Sequence, residues 1–194
     1  MNMIREDWFP TSIWYGYLDF NTENIKNLCL EQRKIDPEGR KISNIGGWQS
    51  QDNINLKKEF KSFFDSINSK LEYIHKDIGP SFKTKITNAW ININGPYDYN
   101  NKHVHAWSTL SGCVYIDTDN ESGKIVFTNP TNQDLYPFHL DSENKNSRYF
   151  SAVDYKPKNN KIIIFPSWIE HEVLPSRNTK TERISISFNS LQVN

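Results

Sequence analysis

The sequence predicts a mainly β fold, a β-sandwich or jelly roll with helices packed outside, and two features carry that expectation. First, the apolar period changes along the chain. Leu56, Phe60, Phe63, Phe64, Ile67, Leu71, Ile74 and Ile78 recur every three or four residues, whereas after Ser81 the period falls to two and short strands dominate to the end. Second, two late segments read as buried strands. Ile162 to Phe165 is a continuous apolar run that Pro166, with no N–H to donate, brings to an end. Thr181 to Asn189 alternates strictly, with Ile184, Ile186 and Phe188 on one face and Arg183, Ser185, Ser187 and Asn189 on the other. One helical layer followed by many short strands is the pattern of a sandwich or jelly roll.

In chain order, Trp8 to Phe20 holds the aromatic and aliphatic residues of a first strand. Asn21 or Thr22 then caps a short helix carrying Ile25, Leu28 and Cys29. Asp36-Pro-Glu-Gly39 is a turn, and the glycine pair in Ser43-Asn-Ile-Gly-Gly-Trp-Gln-Ser50 bends the backbone tightly. Gly79-Pro80 stops the long helix, on whose flank His75 reads as an ordinary surface histidine. Strands are expected at Lys85–Asn94, Leu110–Ile116, Gly123–Phe127, Tyr149–Tyr155 and Ile162–Phe165. Asn129 to about Asn146 is polar and irregular, either a functional lid or a simple surface insertion, and its His139 is not expected to bind a metal. The whole chain, 1–194, is expected to form one domain. Residues 1–80 supply a strand and helices, and 81–194 supply the β core.

Bulk composition narrows the function. The 23 basic and 23 acidic residues balance without a long block of either sign, which argues against nucleic acid or an anionic membrane held by charge. Cys29 and Cys113 lack CxxC spacing, so a cysteine-based zinc site is not expected and a reducing compartment is. An acidic pair follows Arg5 where a signal peptide needs an apolar run, and no segment approaches a membrane span of roughly 18 apolar residues. These features predict a cytoplasmic protein. Six Trp, nine Tyr and eleven Phe suit a β-rich core around an aromatic-lined cavity.

The chemistry concentrates in few residues. In an extended segment His103 and His105 project from one face, close enough to share a metal ion, and His171 supplies a third ligand from a distant strand. Three protein ligands leave coordination positions open, as catalytic sites require. Arg183 and Ser185 share a face twelve residues beyond His171, and a guanidinium there can grip a carboxylate. The competing expectation is an exposed strand arginine paired with Glu182 or Glu172.

His103-x-His105, Leu110-Ser-Gly-Cys-Val-Tyr-Ile116, Gly123-x-Ile-x-Phe127, Phe165-Pro-Ser-Trp168, His171 and Arg183-x-Ser185-x-Ser-Phe-Asn189 occur in one order. That order resembles the Fe(II)- and 2-oxoglutarate-dependent dioxygenases, specifically a small branch common in marine bacteria and tailed phages. Gly46-Gly-Trp-Gln-Ser50 looks like the same branch. The resemblance implies a double-stranded β-helix, a distorted jelly roll, and an enzyme that uses Fe(II), 2-oxoglutarate and O2. It would hydroxylate a small-molecule or peptidyl substrate, releasing succinate and CO2, in the cytoplasm of the host cell where a phage encodes it. It carries metal binding onto His103, His105 and His171, and cosubstrate binding onto Arg183, Ser185 and, as a candidate, Tyr115. Trp107, Tyr97 and Tyr99 are candidates for a substrate-side wall, while Trp90 reads as core packing. The usual motif is His-x-Asp or His-x-Glu, and this chain has His105 at the second position. Three ligand sets therefore stay open: three histidines, two histidines with water, or a carboxylate such as Asp98 from elsewhere. Two other classes compete. One is a non-catalytic metal- or ligand-binding jelly roll, which needs no Arg183–Ser185 pair facing the metal. The other is a three-His oxygenase of the cupin type that does not use 2-oxoglutarate.

Overall fold

A computed structural model describes residues 11–131, 150–177 and 181–193. The first helix, α1 (Thr22–Ile35), is capped by Asn21, whose side chain accepts the Asn24 N–H at 3.0 Å. The long helix, α2 (Lys61–Ile78), ends at Gly79. It starts later than its apolar period predicts. Ile54–Leu56 and Lys58–Phe60 are short 3-10 turns, and their three-residue pitch keeps Ile54 and Phe60 buried while rotating Leu56 outward, 77% exposed.

Eleven strands follow in the described residues: β1 (Trp14–Tyr17), β2 (Asn44–Ile45), β3 (Trp48–Gln49), β4 (Thr84–Asn94), β5 (Tyr99–His103), β6 (Leu110–Asp117), β7 (Ile125–Thr128), β8 (Ala152–Tyr155), β9 (Lys161–Pro166), β10 (His171–Val173) and β11 (Arg183–Gln192). They form two antiparallel sheets, ordered β1-β9-β6-β11-β4-β3 and β2-β5-β10-β7-β8. The fold is mainly β, with the double-sheet architecture that the sequence predicts. Of the expected first strand only Trp14–Tyr17 is a strand, and residues 8–10 lie outside the described part. Most of the expected irregular stretch 129–146, His139 included, also lies outside it. Residues before 80 do more than supply a strand and helices: β1 edges the larger sheet, β3 its other side, and β2 the smaller sheet.

The larger sheet is covered on both faces. Ile91, Ile93, Val114, Ile164, Ile184, Ile186 and Phe188 meet α1 and α2 through Ile25, Cys29, Phe63, Ile67 and Leu71. On the opposite face Cys113, Tyr115, Ile163 and Phe165 meet Ile125 and Phe127 of the smaller sheet. This explains why β9 reads as an unbroken apolar run: both of its faces leave water. Each such side chain contributes on the order of 1.5–3 kcal/mol by burial.

Gly112 sits where three central strands come closest. A Cβ added there would lie 2.5 Å from Phe188 Cζ and 2.8 Å from the Ile163 carbonyl oxygen. Gly112→Ala is therefore expected to destabilise by about 1–3 kcal/mol through overpacking. Thermal denaturation should show a melting temperature lower by roughly 2–4 °C for each kcal/mol. An unchanged melting temperature would mean that Phe188 repacks freely.

Candidate metal centre and its cavity

Three histidines converge between the sheets. The strand β9 ends at Pro166, and the turn that follows crosses from the larger sheet to the smaller. Its Ser167 N–H donates to the Thr109 carbonyl at 3.1 Å, and its Ser167 carbonyl accepts the His105 N–H at 2.9 Å. The chain then enters β10, where His171 lies directly opposite His103 of β5 and Phe127 of β7. His105 lies two residues past the end of β5, held by that Ser167 contact. The ring centroids of His103 and His171 are 4.4 Å apart, those of His105 and His171 4.9 Å, and those of His103 and His105 5.1 Å. One nitrogen from each ring lies within 4.8 Å of its counterparts in the other two.

The hydrogen bonds fix which nitrogens are free. His103 Nδ1 is 2.6 Å from the Asn101 carbonyl, and His171 Nδ1 is 3.0 Å from the Ile169 carbonyl. A carbonyl only accepts, so both Nδ1 atoms carry the proton and both Nε2 atoms keep a lone pair. Burial lowers the proton affinity of all three rings. It pushes His105 down to about 4 and His171 down to about 3, with neighbouring His103 adding to each effect. At neutral pH the cluster is three neutral imidazoles, the form in which histidine binds a metal. Asp98 is not among these ligands. Its carboxylate accepts the Gly95 N–H at 2.7 Å and closes the turn before β5.

The same cavity, of about 390 Å³, is lined by Arg183 and Ser185. Arg183 is only 2% exposed. Its Nε donates to the Gly123 carbonyl at 3.2 Å and its Nη1 to Ser185 Oγ at 3.1 Å, with the guanidinium carbon 5.0 Å from the Tyr115 ring centroid. Among the described residues no carboxylate pairs with it, because Glu182 instead holds Arg33 through two bonds of 2.7 and 2.8 Å. Burying an isolated charge costs several kcal/mol, more than two hydrogen bonds to neutral oxygens offset. A carboxylate bound in this cavity would offset that cost.

Buried polar atoms nearby lack partners too. Among the described residues the buried Tyr115 hydroxyl finds no close hydrogen-bond partner, and burial pushes its phenol well above the usual range. Asn94, opposite Arg183 in register, leaves both side-chain amide atoms unbonded at 1% exposure. Sequence reasoning missed Asn94; its only signal was parity with Asn92 on the polar face of β4. Trp90 departs from the expected core role, lining the cavity with its ring edge-on to His105 at 5.5 Å. Trp107 and Tyr97, expected at the substrate wall, are 94% and 70% exposed on turns where their φ is 64°. Tyr99 is half-buried beside Ile45 of β2 and does not line the cavity.

Known structures share this architecture. A Pseudomonas putida prolyl-4-hydroxylase superposes with a TM-score of 0.63 at 12% identity, covering 95% of this chain and 94% of that one. A Trichoplax adhaerens prolyl hydroxylase, in complex with a hypoxia inducible factor peptide fragment, gives 0.66 at 12% identity over 92% and 83%. The epimerase SnoN from nogalamycin biosynthesis, in complex with Fe3+, alpha ketoglutarate and nogalamycin RO, gives 0.61 at 11% identity over 93% and 79%. At such low identity these likenesses speak for the fold. No curated protein matches the chain. The family described as "Putative 2OG-Fe(II) oxygenase" matches residues 88–189, a span that runs from β4 through the three histidines to Asn189 of β11. With more than half of its length inside that match, the chain belongs to the 2OG-Fe(II) oxygenases.

Proposed function

We propose that His103, His105 and His171 hold the iron through their Nε2 atoms, and that Arg183, with Ser185 and Tyr115, receives the far carboxylate of 2-oxoglutarate. The observation that carries this reading is a buried guanidinium, with no carboxylate partner among the described residues, in the cavity of a neutral three-histidine cluster. A dicarboxylate suits both ends. Its far carboxylate would pair with Arg183 and accept from the Tyr115 hydroxyl and the Asn94 amide. Three neutral imidazoles would leave Fe(II) with its full double charge, of which the near carboxylate of the cosubstrate would offset one unit while the far one pairs with Arg183.

When bound, iron and 2-oxoglutarate supply the oxidising power, as O2 is reduced and 2-oxoglutarate loses CO2 to become succinate. The chain's own residues bind, orient and exclude water. Phe127 and Phe165 pack on His171, ring centroids 5.8 and 4.7 Å away, and keep that side of the cluster dry. Trp90 and the carboxamides of Asn88, Asn100 and Asn101 line the cavity and would meet a small-molecule or peptidyl substrate. A jelly roll that only bound metal, or a three-His oxygenase without 2-oxoglutarate, would leave Arg183 buried and unpaired. No described helix is long and apolar enough to cross a membrane. Two buried free thiols support a reducing compartment such as the cytoplasm, and we read the whole chain as one domain.

The test is succinate formation by anaerobically purified protein given Fe(II), 2-oxoglutarate and O2. Iron-dependent succinate is expected, together with a rise in melting temperature on adding 2-oxoglutarate. Absence of both would overturn the reading.

A further inference from the structure

The third histidine is held differently from the other two. His103 and His171 face backbone carbonyls, which no substitution removes, whereas His105 Nδ1 lies 2.7 Å from the hydroxyl of Ser111 on β6. A hydroxyl can donate or accept, so Ser111 alone leaves the His105 tautomer undecided. Its other partners decide it.

Ser111 Oγ is fully buried and makes three contacts of 2.7 Å, to His105 Nδ1, to Ser167 Oγ and to Asn189 Oδ1. It has one proton and two lone pairs. The Asn189 carbonyl oxygen only accepts, so the Ser111 proton points there. Ser111 must then accept at both remaining contacts, from the Ser167 hydroxyl and from His105 Nδ1–H. One proton order satisfies every member of the chain. It places the His105 proton on Nδ1 and leaves the Nε2 lone pair free, matching the other two rings. No change of charge is involved.

We propose that Ser111 and Asn189 are positioning residues for His105, with Asn189 setting, through the Ser111 hydroxyl, which ring nitrogen carries the proton. The inference rests on the metal-centre reading and assigns work to residues outside the proposed ligand set. It also gives a role to three buried polar groups: Ser111 between Leu110 and Gly112, Ser167 between Pro166 and Trp168, and Asn189 after Phe188. Without the Asn189 carbonyl, the Ser111 proton would be free to turn toward His105 Nδ1. The imidazole proton would then move to Nε2, where a metal must bind.

The test uses the full chain, metal-free and labelled with 15N-histidine, and reads the ring tautomers from long-range 1H–15N correlations at mildly alkaline pH. Wild-type His105 should show the Nδ1–H pattern. Asn189→Leu should shift it toward Nε2–H while the His103 and His171 signals stay unchanged. Asn189→Asp, which keeps an acceptor at that point, should retain the wild-type pattern. Co(II) affinity, followed by visible absorption, should fall about 10- to 100-fold in Asn189→Leu, as when ligand-orienting partners are lost. If Asn189→Leu does not fold, Ser111→Ala is the second variant, with both His105 tautomers expected. A His105 that keeps Nδ1–H and wild-type Co(II) affinity in these variants would overturn the proposal. Wild-type protein that binds no Co(II) would overturn the metal-centre reading instead, and the tautomer measurement would still decide the relay.

Discussion

Arg183→Met is expected to abolish the stabilisation that 2-oxoglutarate confers while changing the ligand-free protein little. Two opposing effects set the second half of that result. Removing a buried charge that has no described carboxylate partner relieves a desolvation penalty of several kcal/mol. Against this, the Gly123 carbonyl and Ser185 hydroxyl each lose a donor, at about 1–3 kcal/mol apiece. The two sums are of similar size, and methionine fills much of the volume. The bound state has no such compensation. A dicarboxylate deprived of its guanidinium would leave a buried anion unpaired, a loss of about 3–5 kcal/mol, or roughly two to four powers of ten in affinity. Thermal melts with and without 2-oxoglutarate, and titration of succinate formation against 2-oxoglutarate, would check both halves. A variant that kept the wild-type ligand-induced shift would remove Arg183 from the carboxylate site.

The second large effect is expected at His171. It is the most buried of the three histidines, 4% exposed, and its ring lies within 4.9 Å, centroid to centroid, of both others. His171→Ala leaves two imidazoles, and no described carboxylate belongs to the cluster. Metal affinity should fall by more than the roughly 10- to 100-fold that disturbing a ligand's hydrogen-bond partner costs. Succinate formation should drop to background. Metal content after gel filtration and succinate yield at increasing iron would measure the two. His75→Ala serves as the control. That ring bonds the Thr84 N–H at 3.0 Å, away from the cavity, and its loss should leave both readouts intact. Equal losses in the two variants would point to general instability rather than to a metal ligand.

Much of this arrangement was legible because it depends on local periodicity. The alternation of Thr181–Asn189 placed Arg183 and Ser185 on one face of β11, and the apolar run before Pro166 placed β9 in the interior. What stayed hidden depends on register between distant segments. The contacts of Ser111 with Ser167 and Asn189 join residues 56 and 78 positions apart. The short neighbouring strands β2 and β3 enter two different sheets, which no local spacing specifies. Aromatic residues misled for a related reason. Trp90 and Trp107 look alike as large apolar groups, but one lies on the cavity face of β4 and the other on an exposed turn. A side chain's type gives its appetite for burial, while the pairing of its strand decides which compartment it enters.

The helical layer over the larger sheet bears on how this chain can be cut. The family match begins at residue 88, after both helices. A polypeptide limited to the matched span would retain the imidazoles and the guanidinium. It would also uncover the flat apolar surface formed by Ile91, Ile93, Val114, Ile164, Ile184 and Ile186. A sheet face of that kind, open to water, invites stacking of one molecule on another. The amino-terminal helices therefore serve the reaction without approaching it. They cover an apolar face that would otherwise favour self-association.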